Sequence, residues 1–171
     1  MIRPALVLRP LTPDDVTETA RVWHDAKQQA YPYLPLEQGR TPQDDEQVFR
    51  EVILPACDIW VATKDGLLVA FVALRASFID RLYVHPQHQR RGIGSALMEH
   101  AKSLSPAGLE LFTHQKNLQA RAFYERHGFN AVRFGISPPP ENEPDVEYHW
   151  RPAGNAMLDA APEGARIETP L

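Results

Sequence analysis

Apolar positions change their period along this chain, and the changes mark its elements. Ala5 to Arg9 reads as a short extended segment ended by Pro10. Thr12-Pro13-Asp14-Asp15 then reads as a helix start: a capping hydroxyl, proline at the first helical position and acids in the first turn. Val16, Ala20, Val22, Trp23 and Ala26 give that helix one apolar face. Tyr31 to Gln43, with three prolines and a glycine, is loop, and a second helix is predicted from Gln43 to Leu54, stopped by Pro55. Ile59 to Thr63 and Leu67 to Leu74 are strand-like runs joined by Lys64-Asp65-Gly66, a hairpin signal because Asp-Gly tolerates positive φ. A third strand, Phe78 to Val84, ends at Pro86. Then come a helix from Ile93 to Ser103, a strand from Leu109 to Thr113, a helix from Leu118 to His127 stopped by Gly128, and a strand from Phe129 to Gly135. After a rigid Pro138-Pro139-Pro140 loop, Val146 to Trp150 is the last strand.

This order predicts an α+β class: a mixed, mostly antiparallel central sheet with helices on its faces. One domain over residues 1–151 accounts for the periodic part, and 152–171 lacks periodicity and reads as a tail. The length of 171 residues allows a sizeable core. The longest nearly unbroken apolar run, Gly66 to Leu74, is too short to span a bilayer, and no export signal is visible. With a formal charge of -4 and no long run of Lys and Arg, neither a membrane nor a nucleic acid is an expected partner. A lone cysteine, Cys57, makes no internal disulfide and agrees with a cytoplasmic location. Its apolar neighbours Ile53, Leu54, Ile59 and Trp60 suit packing better than nucleophilic chemistry.

Chemistry concentrates in residues 79–98. A strand leads through Gln89-Arg90-Arg91-Gly92-Ile93-Gly94-Ser95 into an amphipathic helix. The first amides of a helix lack backbone partners and carry partial positive charge. Glycines let a diphosphate approach that backbone, and Arg90 and Arg91 add full charges beside it. A P-loop is excluded because no Gly-Lys-Ser/Thr ending is present. The dinucleotide fingerprint is excluded because Leu97 stands where its third glycine is needed. His85 and His88 are spaced like a metal pair, but no third ligand accompanies them, and no metal is expected. A second segment follows the strand at Leu109. On a helix Asn117, Ala120, Arg121 and Tyr124 share one face, and the small Ala120 leaves room for a ligand between an amide and a phenol.

Together these segments resemble the GNAT superfamily of N-acetyltransferases. Gln89 to Gly94 is similar to that family's diphosphate loop, glutamine/arginine-x-x-glycine-x-glycine/alanine. Leu82-Tyr83-Val84 stands where the family's splayed strand offers backbone groups to the pantetheine arm, and Asn117 to Phe129 resembles its asparagine-alanine-phenylalanine-tyrosine-glycine-phenylalanine helix. The likeness covers roughly Leu6 to Arg151. It implies that acetyl-CoA is the acyl donor, that a primary amine attacks directly in a ternary complex, and that Tyr124 stands where the family keeps the acid for the leaving thiolate. Asp80, resembling acidic residues at that place in many members, reads equally as the general base or as a carboxylate paired with a neighbouring arginine.

In this family the acceptor pocket is walled by the loop between the first two helices and by the loop before the last strand. Here these stretches, Gln29 to Gln47 and Ser137 to Glu147, carry Glu37, Asp44, Asp45 and Glu46, then Glu141, Glu143, Asp145 and Glu147. An acidic mouth favouring a cationic small-molecule or peptide amine is one reading, and solvated acidic loops are the other. Trp23, Tyr31 and Tyr33 are candidates to line the same pocket. The competing functions are a coenzyme A-binding module or regulator without turnover and a protein whose tail docks a partner. A homodimer through the last strands is compatible with the resemblance.

Overall fold

Local sequence signals set the boundaries of most elements in the computed structural model, in which residues 5–154 are described. The tail expected from 152 onward therefore lies almost wholly outside the described residues. The chain forms two compact units, divided between Ala101 and Lys102.

In the first unit, β1 (Leu6–Pro10), β2 (Asp58–Lys64), β3 (Leu67–Arg75) and β4 (Phe78–Val84) are neighbours in chain order, each pair antiparallel. The β2–β3 turn takes the left-handed conformation at Asp65 and Gly66, as its Asp-Gly pair predicts. The β3–β4 turn does so at Ala76, with no glycine to announce it. α1 (Val16–Ala30) begins behind the Thr12 and Asp15 side chains and lays Val16, Ala20 and Trp23 into the core. There the Trp23 ring lies 6.3 Å from Phe49, which lies 5.7 Å from Phe71 of β3. The second helix departs from expectation. α2 (Pro42–Val48) opens on a Thr41–Asp44 capping box, widens into a π turn over Phe49–Ile53, and continues as the short α3 (Leu54–Ala56) past Pro55. Pro55 is the second residue of that last segment. α4 (Ile93–Leu104) buries Ile93, Leu97, Met98 and Ala101.

In the second unit, β5 (Leu109–His114), β6 (Asn130–Ile136) and β7 (Pro144–Trp150) pair antiparallel in the order β5-β7-β6, and α5 (Leu118–Arg126) connects β5 to β6. The architecture is the α+β class expected from the element order. Among the described residues no helix is long and apolar enough to cross a membrane.

Two carboxylates of the first unit are held below their ordinary pKa by cationic partners. The Arg9 guanidinium grips Asp15 through two bonds, at 2.6 and 2.9 Å, and with the Thr12 backbone N–H holds its carboxyl well below the usual range against a smaller opposing effect of burial. Burial alone would raise the Asp45 pKa; bonds from Lys27, His24 and Arg40 overcome it and hold it below normal. A carboxyl whose pKa falls on folding stabilises above its unfolded value, about 4, and loses that contribution as pH drops through the folded value. The urea midpoint should therefore stay level from about pH 7 to 5 and decline below about pH 4. Asp45→Asn should cost about 3 kcal/mol at pH 7, since it strands buried cations, and should make the acid decline shallower. An acid limb identical in the two proteins would contradict this account.

Gly108 offers a second check. Its φ is +151°, and an added Cβ would stand 2.9 Å from the Trp150 carbonyl oxygen and 2.6 Å from Arg151. Gly108→Ala should lower stability by about 1–3 kcal/mol in the same titration; a loss of a few tenths would mean that the turn relaxes freely.

Candidate functional site

The candidate cofactor residues of the first unit lie on one continuous β4–turn–α4 segment. Leu82, Tyr83 and Val84 are the last residues of β4 and sit opposite Val72, Phe71 and Ala70 of β3. Beyond them a 3-10 turn over Pro86–His88 leads to Gln89, whose amide donates to the Val84 carbonyl at 3.1 Å and so closes the loop onto the strand end. The backbone then turns left-handed at Arg90 (φ 59°) and again at Gly92 (φ 80°). Arg90, Arg91 and Gly92 are exposed, and a Cβ built on Gly92 would meet no atom within 4 Å. The first helical bond of α4 runs from the Ala96 amide to the Gly92 carbonyl at 3.0 Å, so the amides of Ile93, Gly94 and Ser95 precede the i→i−4 ladder. An open turn with two exposed guanidiniums and a row of amides beyond the ladder is the chemistry that holds a diphosphate.

β4 is also fastened from the side. The Tyr83 ring stacks on Phe71 at 6.1 Å, and its hydroxyl meets that of Tyr31, at the end of α1, at 3.0 Å. His85 Nε2 lies 3.1 Å from Asp25 of α1, and its Nδ1 accepts from the Gln87 amide. His88 lies next to it, its pKa lowered by burial and by the nearby charge of His85 and Arg91.

Asp80 shows the paired reading. One oxygen accepts from Arg75 at 3.0 Å and the other from Arg81 at 3.0 Å, and the carboxylate is 3% exposed. The register between β3 and β4 shifts here: Ala73 faces Arg81 and Leu74 faces Ile79, leaving Asp80 unpaired. That bulge interrupts the two-residue alternation that would otherwise put Asp80 on one face with Leu82 and Val84.

In the second unit, Asn117 caps α5, its side-chain oxygen accepting from the Ala120 amide at 3.1 Å. Ala120 follows half-buried on the first turn. Arg121 and Tyr124 do share a face, and that face meets β7: Arg121 Nε donates to the Tyr148 hydroxyl at 3.2 Å, and the Tyr124 and Tyr148 rings are 6.1 Å apart. Tyr148 in turn donates to Glu125 at 2.7 Å; burial first and this bond second raise its pKa. Tyr124 is 9% exposed and also packs on Phe129.

The eight loop acids, which one reading gathers into a negative mouth, are largely paired within the protein. Glu37 and Asp45 pair with Lys27, and Glu46 with Arg50. Asp44 caps α2, lowered in pKa chiefly by the Thr41 N–H. Glu141 meets His114, Glu143 meets Lys116, and Glu147 meets Arg133 and His149, while Asp145 is buried. Counting acids along the chain missed the cations that other segments bring to them. The signal for Lys27 was present, because it continues the 16-20-23 stripe of α1. A group with metal-ligand spacing, Glu110, Glu147 and His149, has its two carboxylates already paired with Arg151 and Arg133. The Cys57 thiol is pushed up to about 12, mainly by burial, which removes the thiolate a nucleophile needs.

Comparison with known proteins agrees with this geometry. Residues 55–131 match the family described as Acetyltransferase (GNAT) domain. The peptidyl-lysine N-acetyltransferase YiaC of Escherichia coli (strain K12) is 32% identical over 112 residues, which are 65% of this chain and 74% of YiaC. The peptidyl-lysine N-acetyltransferase YjaB of Salmonella typhimurium is 39% identical over 80 residues, 46% of this chain and 54% of that protein. In fold, the solution structure of apo YjaB from Escherichia coli matches with a TM-score of 0.71 at 24% identity, covering 85% of this chain and 97% of that one.

Proposed function

The chain belongs to the GNAT superfamily of N-acetyltransferases, and we propose that it moves an acetyl group from acetyl-CoA to the side-chain amine of a peptide or protein lysine. The observation that carries the donor is the open turn from Gln89 to Ser95: a Cβ built on Gly92 would meet no atom within 4 Å, and two exposed arginines and the start of α4 belong to the same turn. A diphosphate fits that donor set, so Arg90, Arg91 and the first amides of α4 are assigned to hold the coenzyme, with Gln89 fixing the loop. The backbone of Leu82, Tyr83 and Val84 is assigned to the pantetheine arm. Asn117 and Ala120 are assigned to the face of α5 that the coenzyme lies along. The lysine acceptor is supported by YiaC and YjaB, both of which are peptidyl-lysine N-acetyltransferases.

The coenzyme supplies the thioester; the chain must supply proton management. A lysine amine of pKa about 10.4 is protonated at pH 7, and freeing its lone pair costs about 4–5 kcal/mol. Asp80, one candidate to take that proton, has both oxygens engaged by guanidinium donors and its carboxylate almost wholly removed from solvent. Its role in this reading is to hold Arg81, and removal of the proton falls to a chain of water. The leaving thiol, of pKa about 8.5, is better expelled if a donor stands by, and Tyr124 is assigned that part: a phenol of pKa about 10 keeps its proton at pH 7. The stretch Gln29 to Gln47 is assigned to the acceptor side.

Thiol release from acetyl-CoA with N-terminally blocked lysine peptides tests both assignments. Tyr124→Phe should lower turnover about 100-fold while calorimetric binding of acetyl-CoA stays nearly unchanged. Equal turnover would remove Tyr124 from the acid role, and no release with any lysine peptide would remove the acceptor assignment.

A further inference from the structure

Lys27 occupies a position on the core-facing stripe of α1 and is 2% exposed. Its ammonium lies 3.1 and 2.9 Å from the two oxygens of Glu37 and 2.8 Å from Asp45, and it stands 4.2 Å from the centroid of the Trp23 ring. Asp45, fully buried, also accepts from Arg40 at 2.8 Å and meets His24 at 2.6 Å. Two lysine and arginine charges thus face two carboxylates in a closed cluster, and the partners come from the segment between α1 and α2 and from the first turns of α2. The Gln28 side chain adds a bond to the Glu37 carbonyl at 3.2 Å. This cluster bolts residues 31–45 to α1 from the inside.

The bolted segment reaches the proposed site directly. Its first residue, Tyr31, donates to or accepts from Tyr83 of β4, between Leu82 and Val84. The tryptophan beneath the lysine is approached at 5.6 Å by Arg81 of the same strand. We infer that Lys27, with Glu37 and Asp45, is a positioning element: it fixes the segment 31–41, and through Tyr31 its distance from β4, so that the acceptor amine meets a wall set in place before binding. This inference rests on the acetyltransferase reading and assigns the cluster no contact with either substrate. A buried, fully paired lysine costs more to assemble than an apolar side chain of its size, so its presence in a loop anchor, where leucine would pack, fits a demand for fixed geometry. A wall fixed in advance spares the ordering cost of binding, and that saving appears in the affinity for the amine alone.

Lys27→Met, which keeps the length of the side chain, and the milder Glu37→Gln should each raise KM for a blocked lysine peptide about tenfold or more, with KM for acetyl-CoA within about twofold. A second readout needs no turnover. The bond after Arg40 should become the early trypsin cut in both variants, identified by mass spectrometry, where the wild-type protein resists it. Both Michaelis constants rising together, or a fall in kcat alone, would show that the cluster merely stabilises the fold and would overturn the inference. Unchanged kinetics with an unchanged cleavage pattern would overturn it as well. If the wild-type protein released no thiol with any amine, the acetyltransferase reading would fall, while cleavage after Arg40 would still decide whether the cluster holds the segment.

Discussion

An ammonium group cannot be left unpaired in a protein interior, and the burial of Lys27 dictates how the first unit is arranged around α1. Withdrawing a charge of this size from water costs several kcal/mol even after relaxation, so each of its donors must find an acceptor. One oxygen of Glu37 and one of Asp45 accept from it, and the second Glu37 oxygen stands within ion-pair distance. To bring Glu37 there, the chain leaving α1 must fold back through the turn at Pro35–Glu37; to bring Asp45, α2 must start at Thr41 and Pro42. Segments between helices are usually the mobile part of a domain, yet here the connection is clamped by some of the least exposed charged groups of the described residues. On the inference drawn above, the clamp also fixes Tyr31 against Tyr83.

What the sequence made legible were features whose cause lies within a few neighbouring residues. The Thr12 cap, the Asp65-Gly66 hairpin and the strand–turn–helix run from Leu82 to Ser95 are each decided by local geometry: a hydroxyl before a first turn, a residue tolerant of positive φ, glycine at the start of a helix. The resemblance of two such runs, in order, carried the family. The features that were not legible depend on distant partners. Ala76 turns left-handed between β3 and β4, and no residue type warns of it. The bulge at Asp80 shifts the alternation by one place and so breaks the rule used to aim its side chain. The π turn at Phe49–Ile53 lets a helix pass a proline that read as its end.

Charge shows the same division more sharply. Runs of acids in two loops suggested a negative opening, since a linear count sees only neighbours in the chain. In space, Lys27, His114, Lys116 and Arg133 come to these acids from other elements, and Arg50 comes from the next turn of the same helix. A residue's formal charge is a property of the sequence; whether that charge faces water is a property of the fold.

This neutralisation bears on how a lysine would be chosen. Attraction to a strongly negative rim would draw any polyamine and would fade with salt. With the rim acids paired internally, discrimination must come instead from shape, and from the cost of deprotonating an amine once it is seated. Shape discriminates only if the wall does not yield, because a wall that moves to meet each acceptor spends on its own ordering the binding free energy that would tell acceptors apart. Two of the loop acids, Glu37 and Asp45, are in this structure clamps on Lys27, and on the proposed reading the selectivity they would confer is that of a rigid surface.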